Sequence, residues 1–131
     1  MRLLGIDYGD KKIGLAFGES TVQIASPLEV IANRGEETIQ TLAKKAETED
    51  IETIVVGVPL DAGGHHGPEQ LEKTRAFISA LKSATSIPVM EEDESYTTTE
   101  SIRLQQEEDA QAEEDALAAM LILKSYMERM G

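Results

Sequence analysis

Three strand-like segments follow one another before the first helical period, and that order restricts the fold more than any other feature. Leu3-Leu4-Gly5-Ile6-Asp7 is apolar and ends at an acid and a turn, Tyr8-Gly9-Asp10. Ile13 to Gly18 returns as a second strand, so the opening reads as a hairpin. Thr21 to Ile31 holds a third strand, in which Pro27 marks an edge or a bend. A plain dinucleotide-binding chain would pass from its first strand straight into a helix.

Past Asn33-Arg34-Gly35 the period changes. Ile39, Leu42, Ala43 and Ala46 fall at helical spacing, and Glu36 and Glu37 suit a first turn. Ile51 to Val58 is β-branched and nearly all apolar, as in a central strand buried on both faces. A glycine-rich loop leads to Pro68, which fits the first position of a helix with Leu71, Ile78 and Leu81 on its inner face. Ile87 to Met90 is a fifth strand running into Glu91-Glu92-Asp93-Glu94. Thr97 and Glu100 have capping-box spacing, and a last helix covers roughly 112–130. The expected order, β-β-β-α-β-α-β-α-α, describes an α/β protein with a mixed sheet, folded as a single domain over 1–131.

Composition excludes several chemistries. The 131 residues contain no cysteine, so disulfides, thiolate metal sites and cysteine nucleophiles are absent, which suits a cytoplasmic protein. The two histidines are adjacent, which argues against a histidine metal cage. No apolar run approaches a membrane span, and Asp7 comes too early for a secretory signal. Twenty-five acids against twelve Lys and Arg give a net charge of −13. That balance suits oxygen-liganded Mg²⁺ or Mn²⁺ and opposes a phosphate backbone.

Three acids stand at the ends of expected elements. Asp7 ends the first strand, Glu94 follows the fifth, and Asp115 lies in the first turn of the last helix. If the first and fifth strands end on one side, these acids converge where ligands gather in open α/β sheets. Carboxylates are the ligands that paired divalent ions use to hydrolyse phosphodiesters. Each acid also has an ordinary structural explanation. Asp7 suits an Asx-turn, Glu94 belongs to an acidic run of the kind that faces solvent, and Asp115 favours a helix dipole.

Four ordered segments resemble the YqgF/RuvX family of Holliday junction resolvases and pre-16S rRNA nucleases. Residues 5–16, GIDYGDKKIGLA, are similar to its opening G-I-D-[YF]-G-x-[KR]-[RK]-I-G-[LV]-A, and residues 54–60, IVVGVPL, to its central [IV]-V-[VI]-G-[LV]-P. Residues 93–98, DESYTT, stand where the family has D-E-R-[LY]-[TS]-[TS], and 115–123, DALAAMLIL, resemble D-[AS]-x-A-A-x-x-I-L. The resemblance implies an RNase H-like fold with a five-stranded mixed sheet, its first three strands antiparallel. It implies a nuclease with Asp7, Glu94 and Asp115 as catalytic, metal-binding residues for Mg²⁺ or Mn²⁺, acting on structured RNA or branched DNA. It also favours phosphate contacts by Lys11 and Lys12, which on residue type alone read as solvated.

The chain departs from the pattern twice. Ser95 replaces the motif arginine, whose bidentate hydrogen bonds a serine cannot reproduce. Residues 91–115 hold eleven acids and one base, Arg103, where the family connection is often basic. These departures support a second expectation, an impaired or regulatory scaffold with weak nucleic-acid binding. An ATPase, suggested only by the first D-x-G turn, ranks well behind, because such enzymes pair two lobes. The glycine segment 57–64 is a candidate for backbone contact with phosphate, and His65 and His66 read as surface residues. Either a monomer or a homodimer fits the sequence.

Overall fold

The computed structural model describes residues 1–60, 68–94 and 114–130. The helix expected from Thr97, the loop bearing His65 and His66, and Ser95 and Arg103 lie outside the described residues. The described elements are β1 (Arg2–Asp7), β2 (Lys12–Glu19), β3 (Ile24–Ala32), α1 (Glu36–Thr48), β4 (Thr53–Val58), α2 (Pro68–Ala84), β5 (Val89–Asp93) and α3 (Glu114–Met130).

The strands form one five-stranded sheet in the order β3-β2-β1-β4-β5. β1, β2 and β3 are antiparallel neighbours, while β4 joins β1 in parallel and β5 joins β4 in parallel. The expected edge position of Pro27 is explained by its setting. β3 is an outer strand, and its register with β2 shifts between Leu15, opposite Glu29, and Ala16, opposite Pro27. A proline without an N–H is tolerated at such a bulge. β4 is buried along its whole length, as its unbroken apolar run requires.

Alternation along β1 divides the core in two. Leu4 and Ile6 join Leu42, Phe77, Ile78 and Leu81 beneath α1 and α2. Leu3 joins Val55, Leu117, Ile122 and Leu123 beneath α3. Asp7 shares the strand face of Leu3 and Gly5, so it faces α3. This side of the sheet is paved with small residues. A Cβ on Gly5 would lie 2.5 Å from Leu123 Cγ and 2.8 Å from the Ala119 carbonyl oxygen, so the helix rests directly on the backbone. Ala119 has too small a side chain to hold the helix off the sheet.

The acidic run is organised differently from the expected solvated face. Glu91, Glu92 and Asp93 are strand residues of β5, and alternation turns Glu91 and Glu92 to opposite sides. Glu91 meets Arg75 of α2 at 3.6 Å. Glu92 is only 2% exposed, and its carboxylate accepts hydrogen bonds from Ser125 Oγ at 2.9 Å and from Arg129 Nε at 3.0 Å. The guanidinium of Arg129 also lies 5.7 Å from the Tyr126 ring centroid.

Candidate carboxylate site

The parallel relation of β1, β4 and β5 sends all three carboxyl ends to one edge of the sheet. Asp7 is the last residue of β1 and stands opposite Gly14 of β2. On its other flank, Ile6 pairs with Val56, which brings Gly57 of β4 beside Asp7. Two glycines thus lie on either side of the aspartate, and each makes room for another acid. A Cβ on Gly14 would run into the Asp115 carbonyl group, so the first turn of α3 sits against β2 at that point. A Cβ on Gly57 would lie 3.2 Å from Glu94 Oε2, so the glutamate carboxylate lies over β4.

The three acids that stood at element ends in the sequence are therefore brought around one strand end. Their fields register on Asp7, whose carboxyl pKa is pushed up from 3.8 to about 8. Burial contributes most, followed by the negative charges of Glu94, Asp115 and Glu114. Each cause acts in the same direction. Such a group is ionised at neutral pH only when something compensates the negative charge around it.

The donor chemistry fits a hard divalent cation, since carboxylate oxygens are the preferred ligands of Mg²⁺ and Mn²⁺. The side chains as they stand do not form a closed cage. Among the described residues, no group of three or more His, Cys, Asp or Glu side chains is set to hold a metal ion. The acids are gathered within electrostatic reach of Asp7.

Lys11, in the turn that follows Asp7, and Lys12, the first residue of β2, are both exposed. Gly57 has a different role from the phosphate contact expected of it. It is a strand residue paired with Glu92, and its missing side chain accommodates Ile122 and Glu94. Sequence reasoning passed over Gly14 as well; the sign was a glycine inside a strand pattern, which marks close approach of another chain segment.

This geometry makes Gly14→Ala a sensitive substitution. Its methyl group would meet backbone rather than a flexible side chain, so the first turn of α3 must shift. The expected cost is about 1–3 kcal/mol, read by denaturant unfolding, with weaker Mn²⁺ binding as Asp115 moves away. Wild-type stability in that variant would mean that the helix start is not held against β2.

Residues 1–129 match the RuvX family, described as Holliday junction resolvase. A relative from Pelotomaculum thermopropionicum with the name "Putative pre-16S rRNA nuclease" is 36% identical over 138 residues, covering 100% of this chain and 89% of that protein. A protein of the same name from Halothermothrix orenii is 35% identical, over 97% of this chain and 94% of its own length. Among solved structures, Thermus thermophilus RuvC in complex with a Holliday junction substrate superposes with a TM-score of 0.64 at 20% identity, covering 100% of this chain and 96% of that one. Fowlpox virus resolvase, solved with Holliday junction DNA, gives a TM-score of 0.64 at 13% identity, over 99% of both chains. These likenesses establish the RNase H-like fold.

Proposed function

Because this chain belongs to the RuvX family of Holliday junction resolvases, we propose that it is a nuclease that hydrolyses phosphodiesters with Mg²⁺ or Mn²⁺ held by Asp7, Glu94 and Asp115. The observation that supports this reading is the pair of glycines, Gly14 and Gly57, which let Asp115 and Glu94 flank Asp7. Precursor 16S rRNA is the first substrate to test, since relatives at 35–36% identity over nearly the whole chain carry that name. Branched DNA is the second. The protein acts in the cytoplasm, as a monomer or a homodimer.

When bound, the divalent ion supplies an activated water and neutralises charge on the leaving oxygen. Asp7 occupies the centre of the site and must give up its proton to act as a ligand, so metal affinity rises with pH up to about 8. Glu94 and Asp115 approach from either side on separate elements, and neither needs to cross the strand end. Lys11 and Lys12 hold the substrate backbone beside the acids and offset their charge.

The test is cleavage of an rRNA precursor fragment and a four-way DNA junction, in Mg²⁺, Mn²⁺ or EDTA. Glu94→Gln and Asp115→Asn should each lower kcat by about 100-fold or more, with circular dichroism unchanged. Wild-type rates in both variants would remove the carboxylate assignment. Weak or absent binding of both substrates, with no cleavage under any metal condition, would favour the scaffold reading instead.

A further inference from the structure

The outer end of β3 joins the site edge through a network that the sequence pattern did not show. β3 runs parallel in direction to β1, because both are antiparallel to β2, so it also ends at the carboxylate edge. Asn33, the first residue beyond β3, ties this end to the turn after Asp7. Its N–H donates to the Lys11 carbonyl at 2.9 Å, and its Nδ2 donates to the Gly9 carbonyl at 2.9 Å. Its Oδ1 accepts from the Gly35 N–H at 3.1 Å, and the Arg34 N–H donates to Thr38 Oγ1 at 2.8 Å. The backbone on both sides of Arg34 is thereby fixed. Its side chain is left exposed.

We propose that Arg34 is a phosphate-binding residue that, with Lys11 and Lys12, holds the nucleic-acid backbone to one side of the scissile bond. The proposal rests on the nuclease reading and adds to it the side on which the strand runs. Unpaired cations are grouped at this edge and scattered elsewhere: Lys44, Lys82 and Lys124 also lack an ion pair among the described residues, but each stands on a separate helix. Arg2, Lys45, Arg75 and Arg129 are each met by a glutamate. Lys11, Lys12 and Arg34 have no ion pair among the described residues. Asp10, the acid inside the turn, is taken up by Lys73 of α2 at 3.2 Å. Glu36 accepts from Gln40 Nε2 along α1 at 3.0 Å, and Glu37 completes the local acids. Around this turn, apart from the carboxylate site itself, four cations therefore stand beside three acids, in a chain whose acids outnumber Lys and Arg two to one. A planar guanidinium at the exposed corner grips phosphate bidentately, which neither lysine can do. β3 lies two strand spacings from β1, roughly 10 Å, so Arg34 meets a phosphate other than the one being cut.

The experiment measures binding of a fluorescent RNA hairpin and a four-way DNA junction by anisotropy, across a KCl series with Mg²⁺ present. The Asp7→Asn background keeps the strands intact. Arg34→Gln should weaken binding about fivefold or more and reduce the slope of log K against log salt by about 0.7–0.9, the loss of one phosphate contact. Lys44→Gln, an exposed charge change two turns further along α1, should leave the slope unchanged. Equal slopes for Arg34→Gln and its parent, or equal losses in both variants, would overturn the proposal. So would a parent protein that binds neither substrate. Cleavage by protein with Asp7 intact is scored separately: failure there strikes the nuclease reading, while an unchanged salt slope strikes Arg34 alone.

Discussion

Asp7→Asn is expected to lower kcat by about 1000-fold or more and, in EDTA, to make the protein harder to unfold at pH 8.5. The first effect follows from its place between Glu94 and Asp115, where an amide offers a weaker, uncharged ligand. The second follows from proton linkage. In the folded protein Asp7 holds its proton up to about pH 8, whereas an unfolded chain releases it near 3.8. Between those values the folded state binds more protons, so its stability falls as pH rises across the window and levels off above it. The destabilisation amounts to a few kcal/mol at most, since Asp7 is only partly buried.

Asparagine has the shape of the protonated acid and no titration, so the variant should lack this decline. Thermal melts in EDTA at pH 5 and 8.5 measure it, with an expected relative gain of several degrees for the variant at the higher pH. Saturating Mn²⁺ should reverse the ranking, because a ligand that binds only the folded wild type raises its stability. Identical pH profiles for the two proteins would show that Asp7 is not under the electrostatic strain assigned to it. Undiminished cleavage by the variant would remove it from the site.

Arg129→Met is expected to destabilise the protein by roughly 2–4 kcal/mol, more than Glu92→Met does. The two ends of this ion pair are unequally placed. Glu92 is 2% exposed, whereas the Arg129 side chain is 58% exposed. Removing the arginine leaves a buried carboxylate with Ser125 as its named remaining donor, and an uncompensated buried charge is costly. Removing the glutamate leaves a guanidinium that water can reach, and methionine fills the vacated space with apolar atoms. Urea unfolding of both variants gives the comparison. If Glu92→Met were the more damaging, the pair would be acting through something other than charge burial.

Much of the fold could be read from local pattern. Three strands before the first helix, the apolar run of β4 and the helical spacing of α1 each depend on residues close in the chain, and periodicity records such burial directly. The end of β1 at Asp7 was also legible, since an acid and a turn follow an apolar strand. β5 was not. Its acidic residues looked like a solvated run, because a sequence shows that Glu92 is charged and not that Arg129, 37 positions away, meets it.

The candidate site divides in the same manner. Asp7, Glu94 and Asp115 were recognisable one by one as acids at element ends, and the family resemblance joined them. Their convergence depends on strand register, which puts Gly14 and Gly57 on either side of Asp7, and on the close approach of α3 that those glycines permit. Likewise, Arg34 was only a residue between a strand and a helix until Asn33 bonded its turn to the one after Asp7. Residue type and spacing determined which groups could carry charge and bind metal. Only tertiary structure decided which charges are neighbours, because electrostatic interaction depends on distance through space and solvent exposure rather than on separation along the chain.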